Sequence, residues 1–334
     1  MIRVAVVGVN HIGSKHCEVY RQNPDTELVA VCDLMPERAK QAAEQFDTAG
    51  FTSLTALLQE KDVDLVSIAT SGPEGGGHHY EPAMIAIEAG KDVLVEKPIS
   101  NDIEQARELV ARAKQKGVRL ACDLNHRFVP TADKAKELVE SGQLGQILFV
   151  HMKLTIQNPN ETSPWFHMRA LHSHSIDVVR HFAGDIRRVQ AFMTKGPGRN
   201  TWSTVSLNLE FVSGAVGSLT GSYDMSMRHP IEFCEVAGHK GRFVIDNVYD
   251  SLTFYPHDSD ELLVMRNSIM GGVGHFDETI RNRIHHLIRQ ISDGVAPDKI
   301  AGSGADALAA QEVIEAAIRS HTENGAPIEV RPVD

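Results

Sequence analysis

Three groups of residues have types and spacings that can do chemistry. The first is Gly8-Val9-Asn10-His11-Ile12-Gly13, which follows the apolar run Ile2 to Val7 and opens a helical pattern. In that strand–turn–helix context a G-x-G-x-x-G turn brings backbone amides and a helix N-terminus up to a pyrophosphate. Asn10 stands at the middle glycine. Asparagine tolerates left-handed backbone better than most residues, so Gly8, Asn10, His11 and Ile12 remain candidates for phosphate contact. Asp33 ends the next apolar run, twenty residues beyond Gly13. A carboxylate there accepts both ribose hydroxyls of an adenosine and repels a 2′-phosphate. Arg38, on the following helix, is the residue that would pair with such a phosphate instead. The spacing favours NAD over NADP.

The second group is Glu96-Lys97-Pro98, directly after the apolar run Val93 to Val95. Open α/β sheets bind ligands at the carboxyl ends of their strands. An ammonium at that point stabilises negative charge developing on a substrate oxygen as a hydride leaves the same carbon. Glu96 can hold the lysine by charge, and Pro98 fixes the backbone and permits a cis bond. The third group is a crowd of histidines, His167, His172, His174 and His181, from a total of 17. His174, Asp177 and His181 follow i, i+3, i+7 spacing and share a helix face, which with His167 or His172 can ligate a divalent metal. Nothing matches H-E-x-x-H, so no metal site is assigned, and His167 and His181 are read as packed or surface histidines with satisfied hydrogen bonds. Trp165-Phe166 ends a Pro/Asn-rich loop (157–164) suited to cover a sugar face, although aromatics there are as often core residues.

The elements that must position these groups follow two grammars. In the first third, apolar runs at 2–8, 28–33, 65–69, 93–96 and 119–123 alternate with helical patterns. That order forces parallel strands joined by crossover helices, and near-continuous apolar strands are covered on both faces. Helix 102–116 is the clearest: Ile103, Ala106, Leu109, Val110 and Ala113 form one stripe, stopped by Gly117. After Asn125 comes a helix (131–141), a strand, a helix (about 170–182), and then strand candidates at 186–193, 204–211, 215–223, 231–238, 242–247 and 251–255. These suggest an antiparallel meander. Helices at 276–292 and 305–322 close the chain. The fold class is α/β, a doubly wound parallel sheet followed by an α+β domain with an open, mainly antiparallel sheet. The expected domains are 1–123, 124–300, and a C-terminal helix and strand (301–334) whose helix returns to the first domain.

Ala89-Gly90-Lys91-Asp92-Val93-Leu94-Val95-Glu96-Lys97-Pro98 resembles the A-G-K-x-V-x-x-E-K-P signature of the glucose-fructose oxidoreductase / inositol dehydrogenase / MocA family. Gly8 to His16 is similar to its G-x-G-x-x-G-x-x-H start, Thr70 with His79 to its T-P-N-x-x-H loop, and Asn125-His126-Arg127-Phe128 to its N-x-R-F segment. The similarity covers nearly the whole chain. It implies a nicotinamide-binding domain with Thr70, His79, Glu96 and Lys97 at the cofactor, and substrate bound against the nicotinamide near Asn125, Arg127, Trp165, His172 and Asp177. The family's D-x-x-x-H-x-x-D pattern falls on His174-Ser175-Ile176-Asp177, with Ala170 where an aspartate is usual. His172 is the nearby residue that can substitute for it. By this resemblance His174 is the acid/base, Lys97 the electrophile, and Asp177 orients or packs. An imidazole with an ordinary pKa near 6.5 is suited to accept a hydroxyl proton at neutral pH.

Composition narrows the partners. Lys+Arg of 33 against Asp+Glu of 44 leaves a net charge of −11, so no general positive field is available for nucleic acid. No apolar run approaches the ~18 residues of a membrane span, and the amino terminus reads as a strand rather than a leader. Cys17, Cys32, Cys122 and Cys234 lie scattered in apolar segments without paired spacing, as buried thiols of a cytoplasmic protein do. The expected function is NAD(P)-dependent oxidation of a secondary hydroxyl of a sugar, polyol or sugar acid by a homodimer or homotetramer joined through the C-terminal sheet. Two alternatives stay open: a glycoside hydrolase of the same fold that oxidises its sugar only transiently, and a non-catalytic dinucleotide-binding sensor or scaffold.

Overall fold

The structure is a computed structural model that describes residues 1–333. The chain runs β1 (Ile2–Val7), α1 (His11–Gln22), β2 (Thr26–Cys32), α2 (Pro36–Phe46), β3 (Ala49–Phe51), α3 (Leu54–Glu60), β4 (Leu65–Ile68), α4 (Tyr80–Glu88), β5 (Asp92–Val95), α5 (Ile103–Lys116) and β6 (Leu120–Cys122). These strands form a six-stranded parallel sheet in the order β3-β2-β1-β4-β5-β6. Val4, Ala5 and Val6 on β1 and Leu65, Val66 and Ile68 on β4 are buried irrespective of the face they occupy, which is why their apolar runs do not alternate. Short crossovers need sharp boundaries. Asp102 accepts the Glu104 and Gln105 amides at the start of α5, and Gly117 ends it in the left-handed conformation.

The second half continues with α6 (Pro130–Glu140), β7 (Ile147–Thr155), α7 (Phe166–Ala183), β8 (Ile186–Thr194), β9 (Thr204–Phe211), β10 (Val216–Ser222), β11 (Glu232–Gly238), β12 (Gly241–Asp246), β13 (Ser251–Pro256) and β14 (Leu263–Arg266). After α8 (Asp277–Ser292) and α9 (Gly304–Thr322), the short β15 (Ile328–Glu329) ends the fold. The nine-stranded sheet has the order β14-β13-β12-β11-β7-β10-β9-β8-β15. It is therefore not the simple meander expected. β7 inserts between β10 and β11, pairing parallel with the first and antiparallel with the second. The inner face packs on α6 and α7 through Val150, Met152, Leu207, Leu219 and Val236. The outer face presents His151, Phe192, Val216 and Thr220.

Helix α7 begins a turn earlier than the periodicity indicates. Ser163 Oγ accepts the Trp165 amide, and the first turn buries Phe166 and Met168 in the core. Arg169 in that turn, paired with Glu315, masks the apolar stripe in the sequence.

The chain divides into two compact units, residues 1–124 with 277–308, and residues 125–276 with 309 onward. This corrects the expected division at both ends. Helix α8, expected in the second domain, belongs to the first unit, where Ile280, Ile284, Leu287 and Ile288 join Val4, Val6 and Tyr20 in one core. Arg283, fully buried on the same helix, donates to the carbonyls of Cys122 and Gly302. Most of α9, expected to return to the first domain, lies in the second unit, with Ala310, Val313, Ile314 and Ala317 in that unit's core. Both helices are amphipathic, and periodicity shows which stripe is buried but not against which sheet. All four cysteines are buried. Among the described residues no helix is long and apolar enough to cross a membrane.

Ile284→Ala removes a fully buried side chain from the first unit's core, so it should lower unfolding stability by about 2–5 kcal/mol in denaturant titration. A loss under about 0.5 kcal/mol would place α8 outside that core.

Candidate active site

Gly8 follows β1 with φ +82, and a Cβ there would lie 2.7 Å from the Thr70 amide nitrogen; one on Gly13 would lie 1.8 Å from the Gly8 carbonyl oxygen. Only glycine lets the turn close this tightly on the strand–helix junction. Asn10 is the N-cap of α1 but makes no side-chain capping bond, so the first-turn amides are not engaged by it. Such amides, at the positive end of the helix dipole, suit a pyrophosphate. The Asp33 carboxylate is buried and oriented by two backbone amides, Oδ2 accepting from Val9 (3.1 Å) and Oδ1 from Met35 (2.9 Å). Each oxygen retains a second lone pair for a ribose hydroxyl. The turn and carboxylate thus fit an adenine dinucleotide. Arg38 is exposed on α2, and His11 is exposed at the start of α1.

Lys97 follows β5, and its bond to Pro98 is cis. Two contacts hold this segment. Glu96 Oε2 accepts the Lys97 amide at 3.1 Å. His79, fully buried, places its ring nitrogens 2.7 Å from the Pro98 carbonyl and 2.6 Å from the Thr70 carbonyl; burial pushes its pKa down, and the neutral ring donates to one of the two. Packed between these two carbonyls, His79 sits between the Thr70 loop and the Lys97 loop.

Behind Glu96 lies a buried charge network that the spacing did not announce. His16, on α1, places Nδ1 2.9 Å from Ser67 Oγ and Nε2 3.3 Å from Glu96 Oε1. Asp123, just past β6, lies 3.7 Å from the same Nε2, an ion-pair distance too long for a hydrogen bond. Burial disfavours charge on His16, yet Asp123 and Glu96 outweigh it and push the imidazole up to about 9. Burial also raises the Asp123 carboxyl, assisted by the Glu96 charge. Glu96 moves the other way despite its own burial, because His16 stabilises its anion. The ligand atoms of these three residues lie within 4.8 Å of one another, the one such grouping among the described residues. The α7 histidines form no comparable group.

In the second unit, Asp177 on α7 takes a two-pronged ion pair from Arg127, with Nε 2.6 Å from Oδ2 and Nη2 on Oδ1. Asp177 is thereby committed to orientation, and Arg127 to the turn at Asn125–Arg127. His174 is buried and its ring lies flat on that of His126, centroids 4.2 Å apart and planes 10° apart. His126 Nδ1 in turn lies 2.7 Å from Glu232 Oε2. Neither His126 nor Glu232 was singled out in the sequence, although His126 sits inside the N-x-R-F segment. His172 faces elsewhere: it contacts Ser175 Oγ at 3.1 Å and His167 Nε2 at 3.1 Å, and it fills the space that the missing side chain of Gly221 leaves. Burial pushes the pKa of both His167 and His172 down. His172 is therefore a neutral core residue and no replacement for an aspartate at Ala170. Trp165 is half-buried and stacks on Trp202 at 6.3 Å, and Asn125 is buried.

The sign of the His16 shift fixes a pH dependence. A pKa raised from 6.5 to about 9 stabilises the fold fully below pH 6.5 and loses that contribution as pH rises through 9. Denaturant unfolding should show wild-type stability falling by on the order of 3 kcal/mol across that window. His16→Gln should flatten the curve there, and an equal slope in both proteins would remove His16 as its source.

Comparison with known proteins agrees with this geometry. Residues 2–124 match a family profile described as an oxidoreductase family with an NAD-binding Rossmann fold. Residues 132–244 match the GFO/IDH/MocA C-terminal domain. The inositol 2-dehydrogenase of Rhizobium meliloti strain 1021 is 25% identical over 96% of this chain and 97% of its own. The 2,7-anhydro-N-acetylneuraminate hydratase of Escherichia coli strain K12 is 28% identical over 74% of this chain and 68% of its own. Among solved structures, a levoglucosan dehydrogenase in complex with NADH and levoglucosan superposes with a TM-score of 0.88 at 22% identity, covering 99% of both chains. The two profiles together span more than half of the sequence, and the chain belongs to the GFO/IDH/MocA oxidoreductase family.

Proposed function

We propose that this protein is an NAD-dependent dehydrogenase that oxidises a secondary hydroxyl of a sugar, polyol or sugar acid. The observation that carries this reading is Lys97 at the carboxyl end of β5, its peptide held by a carboxylate that the buried His16 ring contacts. A bound nicotinamide supplies the hydride acceptor. Lys97 then stabilises negative charge on the substrate oxygen, and a fixed ammonium does so without reorganising during the reaction. His174 accepts the hydroxyl proton. Arg127 and Asp177 hold α7 and the Asn125–Arg127 turn in register by their ion pair. Asp33 selects NAD by accepting ribose hydroxyls where a 2′-phosphate would meet its charge.

Relatives named for inositol, levoglucosan and glucosides support the carbohydrate class. The outer sheet face with Phe192 and Val216 is the surface through which we expect a homodimer or homotetramer to form. The relative named a hydratase favours one second reading, in which the sugar is oxidised transiently and reduced again before release. Incubation with NAD and a panel of inositols, methyl glucosides and anhydrosugars separates the two. A dehydrogenase accumulates NADH, whereas transient oxidation changes the sugar with none. Retained NADH binding without any turnover would leave the sensor reading.

With a substrate from that panel, Lys97→Ala should cost at least about 100-fold in kcat, and His174→Asn about 100- to 10,000-fold with loss of the acidic limb of the pH profile. Turnover within tenfold of wild type for either variant would remove that residue from the chemistry. Asp33→Ala should weaken NAD binding by about 10- to 100-fold and narrow its advantage over NADP; a wild-type enzyme that binds NADP more tightly would contradict the ribose assignment.

A further inference from the structure

Glu232, the first residue of β11, is buried, and the partner of its carboxylate is His126, whose Nδ1 lies 2.7 Å away. The other side of the His126 ring is covered by His174 in the parallel stack, and its edge meets Phe276 at 5.5 Å. We propose that Glu232 and His126 form a positioning dyad for His174, supplying the negative charge that stabilises the His174 imidazolium. The proposal deepens the dehydrogenase reading and rests on His174 being its base.

A carboxylate only accepts hydrogen bonds, so the 2.7 Å contact places the proton of His126 on Nδ1 and fixes both tautomer and ring plane. The stack then fixes the plane of His174. During oxidation the C–H electron pair leaves as hydride to the nicotinamide, the hydroxyl proton passes to a ring nitrogen of His174, and the oxygen lone pair closes the carbonyl. That step turns a neutral imidazole into a buried cation, which is costly unless negative charge stands nearby. Ala170, one turn before His174, has only a methyl group to offer. On α7 itself, Asp177 pairs with Arg127 and Arg169 with Glu315, and the core against which the helix packs includes Met152, Leu207, Leu219 and Ala135. Glu232 on β11, held 2.7 Å from His126, brings a carboxylate to the ring on which His174 stacks and acts through that ring.

A purely structural role, in which His126 pins the Asn125–Arg127 turn to β11, predicts different behaviour and can be separated. The full-length protein saturated with NAD, labelled with 15N-histidine, is titrated by long-range 1H–15N spectroscopy; His126→Phe and His174→Asn assign the two rings. His126→Phe keeps an aromatic ring for the stack but breaks the dyad, and Glu232→Gln is isosteric. Each should lower the pH at which His174 takes up its proton by about one unit, a tenfold change in proton affinity. In the wild type His126 should carry its proton on Nδ1. Unmoved His174 titration in both variants, or a proton on Nε2 of neutral His126, would overturn the dyad. If Glu232→Gln does not fold, His126→Phe decides alone. Failure of the dyad with His174→Asn still inactive leaves the base assignment standing, whereas an active His174→Asn overturns the base itself.

Discussion

A carboxylate can sit at the buried end of a parallel sheet only if something compensates its charge. Glu96 meets that condition through His16, and the first unit's site is arranged around the pair. His16 comes from α1, the helix that the glycine turn opens, so the turn beneath the expected pyrophosphate and the strand end bearing Lys97 share one charge balance. Asp123 completes it past the last strand of the sheet, and Ser67 closes the other imidazole nitrogen. Residues on β4 and just past β5 and β6 therefore converge on a single imidazole ring. The second oxygen of Glu96 is free to take the Lys97 amide, which converts a buried ion pair into the orientation of a catalytic candidate.

The second unit solves a similar problem with a different charge set. Arg127 and Asp177 join the turn after the first domain to the middle of α7 in a two-pronged pair, the geometry in which arginine holds a carboxylate most rigidly. His174, one turn before Asp177, inherits its position from that anchor and its ring plane from His126. Gly221 on β10 is needed because the His172 ring occupies the volume of its Cβ, so one histidine of the cluster is spent on packing.

Legibility along the chain varied with the kind of information each feature needs. The parallel sheet was readable because strands such as Val4 to Val7 are apolar on both faces, a pattern that follows from burial alone. Asp102 and Gly117 marked the bounds of α5 because capping is local. The start of α7 is not legible in the sequence because Arg169, paired with Glu315 far along the chain, breaks the apolar stripe. The insertion of β7 beside β10 was hidden because strand order depends on long-range pairing, which alternation does not encode. For the same reason periodicity does not tell which unit α8 and α9 join, because an amphipathic stripe carries no address.

By itself the sequence determined the residue chemistry: a glycine turn with Asn10 at its middle, a carboxylate at Asp33 ending the second strand, Lys97 after a buried strand, and His174 with Asp177 on one helix face. Local spacing suffices for these because a turn, a cap or a helix face involves residues only a few positions apart. Only the tertiary structure decided which charges meet. His16 and Glu96, or His126 and Glu232, are separated by most of a domain in the chain, and a side chain far away in sequence becomes a countercharge only when the sheet brings it within a few ångströms.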